Sequence, residues 1–191
     1  MQARKQRMDI AVIGSGNVAT QMSRALRDAG HRIVGVWSRN PSHAGRLAGE
    51  LGAESVTELS RMPHADVYLI CVSDDAIGDV VNTLGSLPPE ALLLHTAGSV
   101  PMDVLSGAGC SCGVLYPMQT ISAGRRADFP SVPLFIEASG DAALQRLETL
   151  ARSISGNVCR MNSLMRRHIH LAAVFACNFT NHCYELARRE M

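Results

Sequence analysis

Short apolar segments alternate with amphipathic segments along the first 160 residues of the chain. The apolar segments have the length of buried parallel strands, and the segments between them have helical spacing. Gly30 follows the first amphipathic segment and Pro41 begins the second, as helix boundaries favour. The predicted strands are 9–14, 31–37, 66–72, 91–95, 112–116, 134–137 and 157–160, and the predicted helices are 17–29, 41–51, 74–84 and 141–154. This order predicts an α/β fold with a doubly wound, mostly parallel sheet.

The pattern changes after residue 160. Residues 162–190 contain no glycine or proline, and their central part, 170–179, is largely apolar. They predict one long helix, about 40 Å at ~1.5 Å per residue, whose apolar surface must pack against another element. We therefore expect one domain at 8–160 and the incomplete beginning of an all-α domain at 161–191. Either a second copy of the chain, in a homodimer, or a further segment of a longer protein is expected to cover this helix.

Composition and charge argue against several classes of function. The 18 basic and 17 acidic residues give a net charge of +1, which favours no nucleic-acid partner, and no apolar run reaches the ~20 residues needed to cross a membrane. The arginine pairs at 125–126, 166–167 and 188–189 are predicted to be solvated. Six cysteines lack the common zinc spacing, so we expect no metal, and buried, reduced thiols in a cytoplasmic protein.

A glycine-rich motif, G-S-G-N-V-A at 14–19, joins the first predicted strand to the first predicted helix. In that context Gly14 permits a tight turn, Gly16 lets a pyrophosphate approach the backbone, and Ala19 keeps the helix close to the sheet. Amides at the helix N-terminus, together with the positive end of its dipole, favour an anion there. The motif therefore predicts a dinucleotide-binding Rossmann domain.

The residues after the second strand indicate which dinucleotide binds. NAD-specific sites usually have Asp or Glu there, but this chain has Trp-Ser-Arg-Asn at 37–40. Arg39 can pair with a 2′-phosphate through two N–H groups, although a merely solvated Arg39 is the alternative. We predict NADP(H) as the cofactor. The predicted cofactor-binding residues are Gly14, Ser15, Gly16, Asn17, Val18, Ser38, Arg39, Asn40, Val72 and Ser73.

Candidate catalytic residues follow the strand 91–95 and lie along one side of the long helix. His95 and Ser99 can approach a ligand, although His95 could be structural and Ser99 could cap the next helix. A spacing of ~100° per residue places His170, Asn178 and Asn181 together, either facing a substrate or bonding one another across a dimer. The loops at 74–75 and 116–120 have structural interpretations, a helix cap and a turn, beside a functional one.

Five segments resemble a known family, the Rossmann-like NADP oxidoreductases with a C-terminal domain of unknown function. These segments are GSGNVA at 14–19, VSDDAI at 72–77, HTAGS at 95–99, YPMQT at 116–120 and HLAAVFACNFTNH at 170–182. The resemblance covers nearly the whole chain and extends to pyrroline-5-carboxylate reductase, prephenate dehydrogenase and 6-phosphogluconate dehydrogenase. It implies a Rossmann domain followed by a helical domain that forms much of a dimer interface, with the substrate between the two.

The chain departs from these relatives at two places. Tyr116 stands where related prephenate dehydrogenases have the histidine of a His-Pro-Met motif. The lysine that works with an asparagine in the 6-phosphogluconate and hydroxyacid relatives is absent. Asn178 or Asn181 is left for the asparagine's role, and His170 would have to replace the lysine.

These observations predict an enzyme that uses NADP(H) to transfer a hydride to or from a small carbonyl, imine or hydroxy-acid substrate. His170 or His95 would give or accept the proton, and Asn178, Asn181 and Ser99 would hold the substrate. The alternative is a catalytically inactive NADP(H)-binding sensor or assembly protein, which the missing lysine favours. No nucleic-acid or membrane partner is expected.

Overall fold

The computed structural model describes residues 7–122 and 124–191, and these residues form eight strands and six α-helices. The strands are β1 Asp9–Ile13, β2 Arg32–Trp37, β3 Glu54–Val56, β4 Val67–Ile70, β5 Leu92–His95, β6 Ser111–Pro117, β7 Leu134–Ala138 and β8 Val158–Arg160. The helices are α1 Asn17–Asp28, α2 Pro41–Leu51, α3 Ile77–Leu84, α4 Asp141–Ile154, α5 Ser163–Ala173 and α6 Thr180–Glu190.

All eight strands form one sheet in the order β3-β2-β1-β4-β5-β6-β7-β8. Every neighbouring pair is parallel except β6 and β7, which are antiparallel. The predicted doubly wound, mostly parallel sheet is therefore confirmed. Strand order reverses at β1, which has β2 on one side and β4 on the other, and in such sheets ligands bind outside the carboxyl ends of the strands at this point.

The core lies on both faces of the sheet, which explains the continuous apolar runs of the central strands. All residues of β4 and β5 are buried. In β1, Ile10 and Val12 pack on the face covered by α1 and α4, whereas Ala11 and Ile13 pack on the face covered by α3. Alternate side chains of a strand point to opposite faces, so a strand covered on both sides needs an apolar residue at every position.

Several predicted element boundaries differ from the structure. The three-residue strand β3 was not predicted, because its first two residues are exposed edge positions that lack an apolar signal. The helix predicted at 74–84 begins as a 3₁₀ turn, Asp74–Ala76, before α3 starts at Ile77. The strand predicted at 112–116 extends through Pro117, which pairs with Leu134 across the antiparallel edge.

The long C-terminal helix forms as predicted, with one change in its middle. The side chain of Asn162 caps its start by accepting a hydrogen bond from the amide of Met165 at 2.9 Å. A π-helical stretch, Val174–Phe179, joins α5 to α6. The apolar side chains Phe175 and Phe179 on this stretch are 59% and 53% exposed. The predicted division of the chain at residue 160 stays a prediction.

Two predictions about burial are wrong. Cys159, Cys177 and Cys183 are exposed free thiols, because they lie on the edge strand β8 and on the uncovered C-terminal helix. Arg166, predicted to be solvated, is only 1% exposed because it is held between β7, the segment after β5 and its own helix. In the described part of the chain, no helix combines the length and apolar character that crossing a membrane requires.

Candidate active site

The turn between β1 and α1 has two glycines with different surroundings. Gly14 has a φ of 129°, and a Cβ atom at this position would lie 2.3 Å from the carbonyl oxygen of Cys71. Gly14 is therefore required by the protein itself, since the turn packs directly on the segment after β4. A Cβ atom on Gly16 would meet no protein atom within 4 Å. The open space beside Gly16, at the N-terminus of α1, fits the pyrophosphate of a dinucleotide.

A crevice of about 290 Å³ opens at this turn, between the carboxyl ends of β1, β2 and β4. All the predicted cofactor-binding residues except Asn17 and Val18 line it. Asn17 lies in an adjoining pocket and donates its side-chain amide to the carbonyl of Ile121 at 3.2 Å. Val18 is partly buried against the core. The crevice lining is Gly14, Ser15, Gly16, Ser38, Arg39, Asn40, His43, Cys71, Val72 and Ser73.

The segment after β2 forms the far wall of the crevice. The hydroxyl of Ser15 donates to that of Ser38 at 2.7 Å, which joins this wall to the glycine-rich turn. The side-chain oxygen of Asn40 accepts hydrogen bonds from the amides of Ser42 and His43 and so caps α2. Arg39 is exposed and makes no ion pair with any described residue. Its guanidinium is available to an anion in the crevice.

His43 was not among the predicted site residues, although it lines both the crevice and the pocket beside it. It lies in the first turn of α2, one turn beyond Asn40. The signal that could have identified it is the predicted start of α2 at Pro41, because residues in the first turn of that helix face the end of β2.

A second cavity, of about 260 Å³, lies between the end of β6 and the C-terminal helix. Its central polar contact joins the hydroxyl of Tyr116 to Nδ1 of His170 at 2.9 Å, with the two rings edge to face. Asn178 also lines this cavity, whereas Asn181 does not. The lining residues are Tyr116, Met118, Gln119, Thr120, His170, Ala173, Val174, Cys177 and Asn178.

The π-helical stretch explains why the predicted polar side of the helix is only partly realised. Cys177 and Asn178 belong to this stretch and face the cavity together with His170. A π-helix has more residues per turn than an α-helix, so the residues beyond it are rotated from the positions that a regular helix predicts. Asn181 is exposed, outside the cavity.

Gly98, three residues after the end of β5, packs closely against the side chains of both Tyr116 and His170. A Cβ atom at Gly98 would lie 2.5 Å from Nδ1 of His170 and 2.8 Å from Cζ of Tyr116. The neighbouring Ser99 caps no helix, because its hydroxyl donates to the carboxylate of Asp74. Asp74 directly follows Ser73 of the crevice. This series of contacts connects the crevice to the cavity along one edge of the sheet.

His95, the other predicted proton carrier, is fully buried. Its Nδ1 atom accepts a hydrogen bond from the amide of Ala97 at 3.1 Å. Burial is the main reason why the pKa of His95 is lowered to about 4; the charge of Arg166 also lowers it, whereas the Pro101 backbone and the carboxylates of Asp74 and Glu137 act in the opposite direction. The structure thus places His95 beneath the site, in the neutral form at physiological pH, and apart from the cavity lining.

Arg166 fastens the C-terminal helix to the sheet. Its guanidinium forms an ion pair with Glu137 on β7 and donates to the carbonyl of Val100 at 2.6 Å. The hydroxyl of Ser163 donates to Glu137 at 2.7 Å and accepts from the amide of Met102 at 3.0 Å. Because Arg166 lies one helical turn before His170, these bonds fix the part of α5 that carries His170.

Comparison with known proteins identifies relatives for both parts of the chain. A family model described as NADP oxidoreductase coenzyme F420-dependent matches residues 9–97, and a model described as Domain of unknown function (DUF2520) matches residues 132–191. No curated protein matches the chain. The first of these matches agrees with the predicted NADP(H) cofactor.

Solved structures are similar over nearly the whole chain. The putative NADP oxidoreductase BF3122 from Bacteroides fragilis is 42% identical, with a TM-score of 0.91 over 96% of this chain and 72% of that one. Protein TM1727 from Thermotoga maritima is 23% identical, with a TM-score of 0.77 over 94% of this chain and 68% of that one. Prephenate dehydrogenase from A. aeolicus is 14% identical, with a TM-score of 0.70 over 92% of this chain and 69% of that one. The last two show a shared fold.

Proposed function

Because the chain belongs to the NADP oxidoreductase family that includes BF3122, we propose that it transfers a hydride between NADP(H) and a small carbonyl, imine or hydroxy-acid substrate. The observation that carries this proposal is the connection between the two cavities. The crevice ends at Ser73, Asp74 bonds Ser99, and Gly98 contacts Tyr116 and His170. A dinucleotide that enters at Gly16 would therefore have its reactive end directed towards a polar cavity.

The crevice residues would bind the cofactor in the manner that their chemistry suggests. The amides at the start of α1 would hold the pyrophosphate, because Gly16 caps this helix without a side chain. Arg39 would pair with the 2′-phosphate, and the hydroxyl of Ser38 would add a hydrogen bond. When bound, NADP(H) supplies or accepts the hydride.

The cavity residues would hold the substrate and provide the proton. His170 is the proposed source of the proton, which would reach the substrate directly or through Tyr116, its hydrogen-bond partner. Asn178 would orient the substrate oxygen or nitrogen from the same helix. Asn181 lies outside the cavity, and the hydroxyl of Ser99 is bonded to Asp74. Both residues are therefore proposed only for contacts with substrate at the edge of the cavity.

Measuring NADPH oxidation with a panel of keto acids, aldehydes and cyclic imines tests this proposal. We expect at least one of these classes to be reduced by the natural chain. The matched variant His170→Gln should bind NADPH normally and lose about 100-fold or more in kcat, as removal of a general acid does. Tight binding of NADPH without oxidation by any substrate would instead favour the alternative, an NADP(H)-binding sensor or assembly protein.

We also propose that the protein is a cytoplasmic homodimer in which the C-terminal helix packs against a second copy. Leu171, Phe175 and Phe179 are each more than half exposed, and the rings of the two phenylalanines stack with centroids 5.1 Å apart. An apolar surface of this kind marks an interface, and a two-fold arrangement would bury the same surface on both copies. Light scattering at tens of micromolar should give a dimer, with Phe175→Glu shifting it towards monomer. A well-behaved natural monomer would contradict the proposal.

A further inference from the structure

The hydrogen bond between Tyr116 and His170 can have either of two directions, with different consequences for a bound substrate. If the Tyr116 hydroxyl donates to Nδ1, its only hydrogen is used within the protein. If Nδ1 carries the hydrogen and donates to the tyrosine oxygen, the hydroxyl hydrogen is free to reach a ligand in the cavity. The 2.9 Å separation of these atoms suits both directions.

The positions of the two side chains distinguish their roles. Tyr116 extends from the end of β6 and is 8% exposed, on the inner side of the cavity. His170 comes from the outer helix and is partly exposed, and no hydrogen bond to its Nε2 is found among the described residues. His170 therefore lies between Tyr116 and the solvent. It can exchange protons at Nε2 while Nδ1 faces the tyrosine oxygen.

We propose that Tyr116 is the catalytic residue that gives the proton to the substrate oxygen or nitrogen, and that Nδ1–H of His170 replaces this proton. The inference deepens the proposed function and rests on it for the nature of the substrate. Gly98 is required at the contact, because a Cβ atom there would collide with both rings.

The electrostatic surroundings keep the Tyr116 hydroxyl protonated until it is needed. Burial raises the pKa of Tyr116, the carboxylate of Asp74 raises it further, and Arg166 acts in the opposite direction. The phenol therefore stays a neutral O–H donor at physiological pH. An alkoxide is a much stronger base than a phenolate, so the proton moves as negative charge develops on the substrate oxygen.

The atoms balance without an additional reactant. With NADPH bound, a hydride would be available to the carbonyl carbon; the C=O double bond would become a single bond, and its oxygen would take the Tyr116 proton. The tyrosine oxygen takes the hydrogen from Nδ1, and Nε2 takes one proton from water, which leaves one hydroxide ion in the solvent. His170 thus changes from the Nδ1–H to the Nε2–H tautomer, and the product is an alcohol.

The direction of the hydrogen bond can be measured without a substrate. Long-range ¹H–¹⁵N spectra of the chain carrying ¹⁵N-labelled histidine report which ring nitrogen bears hydrogen, and His170→Gln identifies the His170 signals. At pH ~8, where an ordinary histidine is neutral, we expect hydrogen on Nδ1 of His170, in the presence and absence of NADP⁺. Tyr116→Phe should remove this preference. A natural chain with hydrogen on Nε2 alone would overturn the proposal, because Tyr116 would then be the donor to Nδ1.

A kinetic measurement separates failure of this inference from failure of the proposed function. With a substrate found by the NADPH oxidation panel, Tyr116→Phe should lower kcat by about 100-fold or more and leave NADPH affinity unchanged. Undiminished kcat in Tyr116→Phe would assign proton donation to His170 alone. If no substrate is reduced but the histidine spectra show hydrogen on Nδ1, the proposed reaction fails while the assigned hydrogen bond stands.

Discussion

The cofactor crevice and the Tyr116–His170 cavity lie at the same edge of one sheet but are built in different ways. The crevice is formed largely by backbone positions and by residues next to them in sequence, around the turn that contains Gly14 and Gly16. The cavity depends on side chains 54 residues apart, one on a strand and the other on a helix held to the sheet by Arg166. Each wall of the crevice is a short segment that directly follows a strand and can be identified from local sequence, whereas the cavity depends on a contact that only the tertiary structure reveals.

The largest expected effect separates the two glycines of the crevice. Gly14→Ala combines an unfavourable φ with a collision against Cys71, and should lower the free energy of unfolding by about 3–5 kcal/mol. Gly16→Val, its matched control, has open space around its Cβ atom and should unfold at nearly the natural temperature while losing NADPH binding. Thermal unfolding and calorimetric titration measure these outcomes. Normal NADPH binding by Gly16→Val would show that the dinucleotide lies elsewhere.

The Tyr116–His170 cavity can be tested by breaking the bonds through which Arg166 holds the C-terminal helix to the sheet. Arg166→Met leaves Glu137 without its cationic partner in a largely buried place, and should cost about 3 kcal/mol of stability. Arg167→Met changes an exposed neighbour and should alter stability by less than about 0.5 kcal/mol. Urea unfolding of both variants gives the comparison. Equal stabilities would mean that Arg166 does not hold the helix to the sheet.

His95 is buried beneath the site, where the crevice and the cavity meet. It should make the free energy of unfolding of the chain depend on pH. Its pKa in the folded chain is about 4, below the ordinary histidine value. The unfolded chain therefore takes up the proton first as pH falls. Above pH ~6.5 His95 is neutral in both the folded and the unfolded chain, and its contribution to the free energy of unfolding is fully present. Between pH ~6.5 and pH ~4 the free energy of unfolding falls by about 1.4 kcal/mol per pH unit. Urea unfolding of the natural chain and His95→Gln between these pH values should show a smaller slope for the variant. Parallel slopes would contradict the burial of His95.

The smallest expected effect concerns the choice of cofactor. Arg39→Ala removes the guanidinium predicted to pair with the 2′-phosphate, a loss of ~1.5–3 kcal/mol or about 10- to 150-fold in NADPH affinity. NADH, which lacks this phosphate, should bind the variant and the natural chain alike. Titration calorimetry with the two cofactors decides the matter. Equal losses for both would exclude a phosphate contact at Arg39.

The difference between the crevice and the cavity explains how much of the site the sequence could predict. The glycine-rich turn and the residues after β2 were identified because each follows a recognisable strand by a few positions. The loop at 116–120 keeps both a structural and a functional interpretation in the sequence, since the role of Tyr116 depends on His170 in a distant segment. Arg166 was assigned to the surface because its burial requires Glu137 and the Val100 carbonyl, which sequence spacing does not bring together. His95 has the right chemistry at a strand end, but only the packing shows that it is buried.

We infer that the crevice and the cavity are two ends of one active site. A crystal structure of the chain with NADP⁺ bound would show whether they are. We expect the pyrophosphate beside Gly16, the 2′-phosphate beside Arg39, and the nicotinamide ring at the mouth of the cavity. An atom ~3–3.5 Å from the nicotinamide C4 should then also be within hydrogen-bond reach of the Tyr116 hydroxyl. A nicotinamide ring directed away from Tyr116 and His170, with the cavity closed off from C4, would mean that the crevice and the cavity do not form one active site.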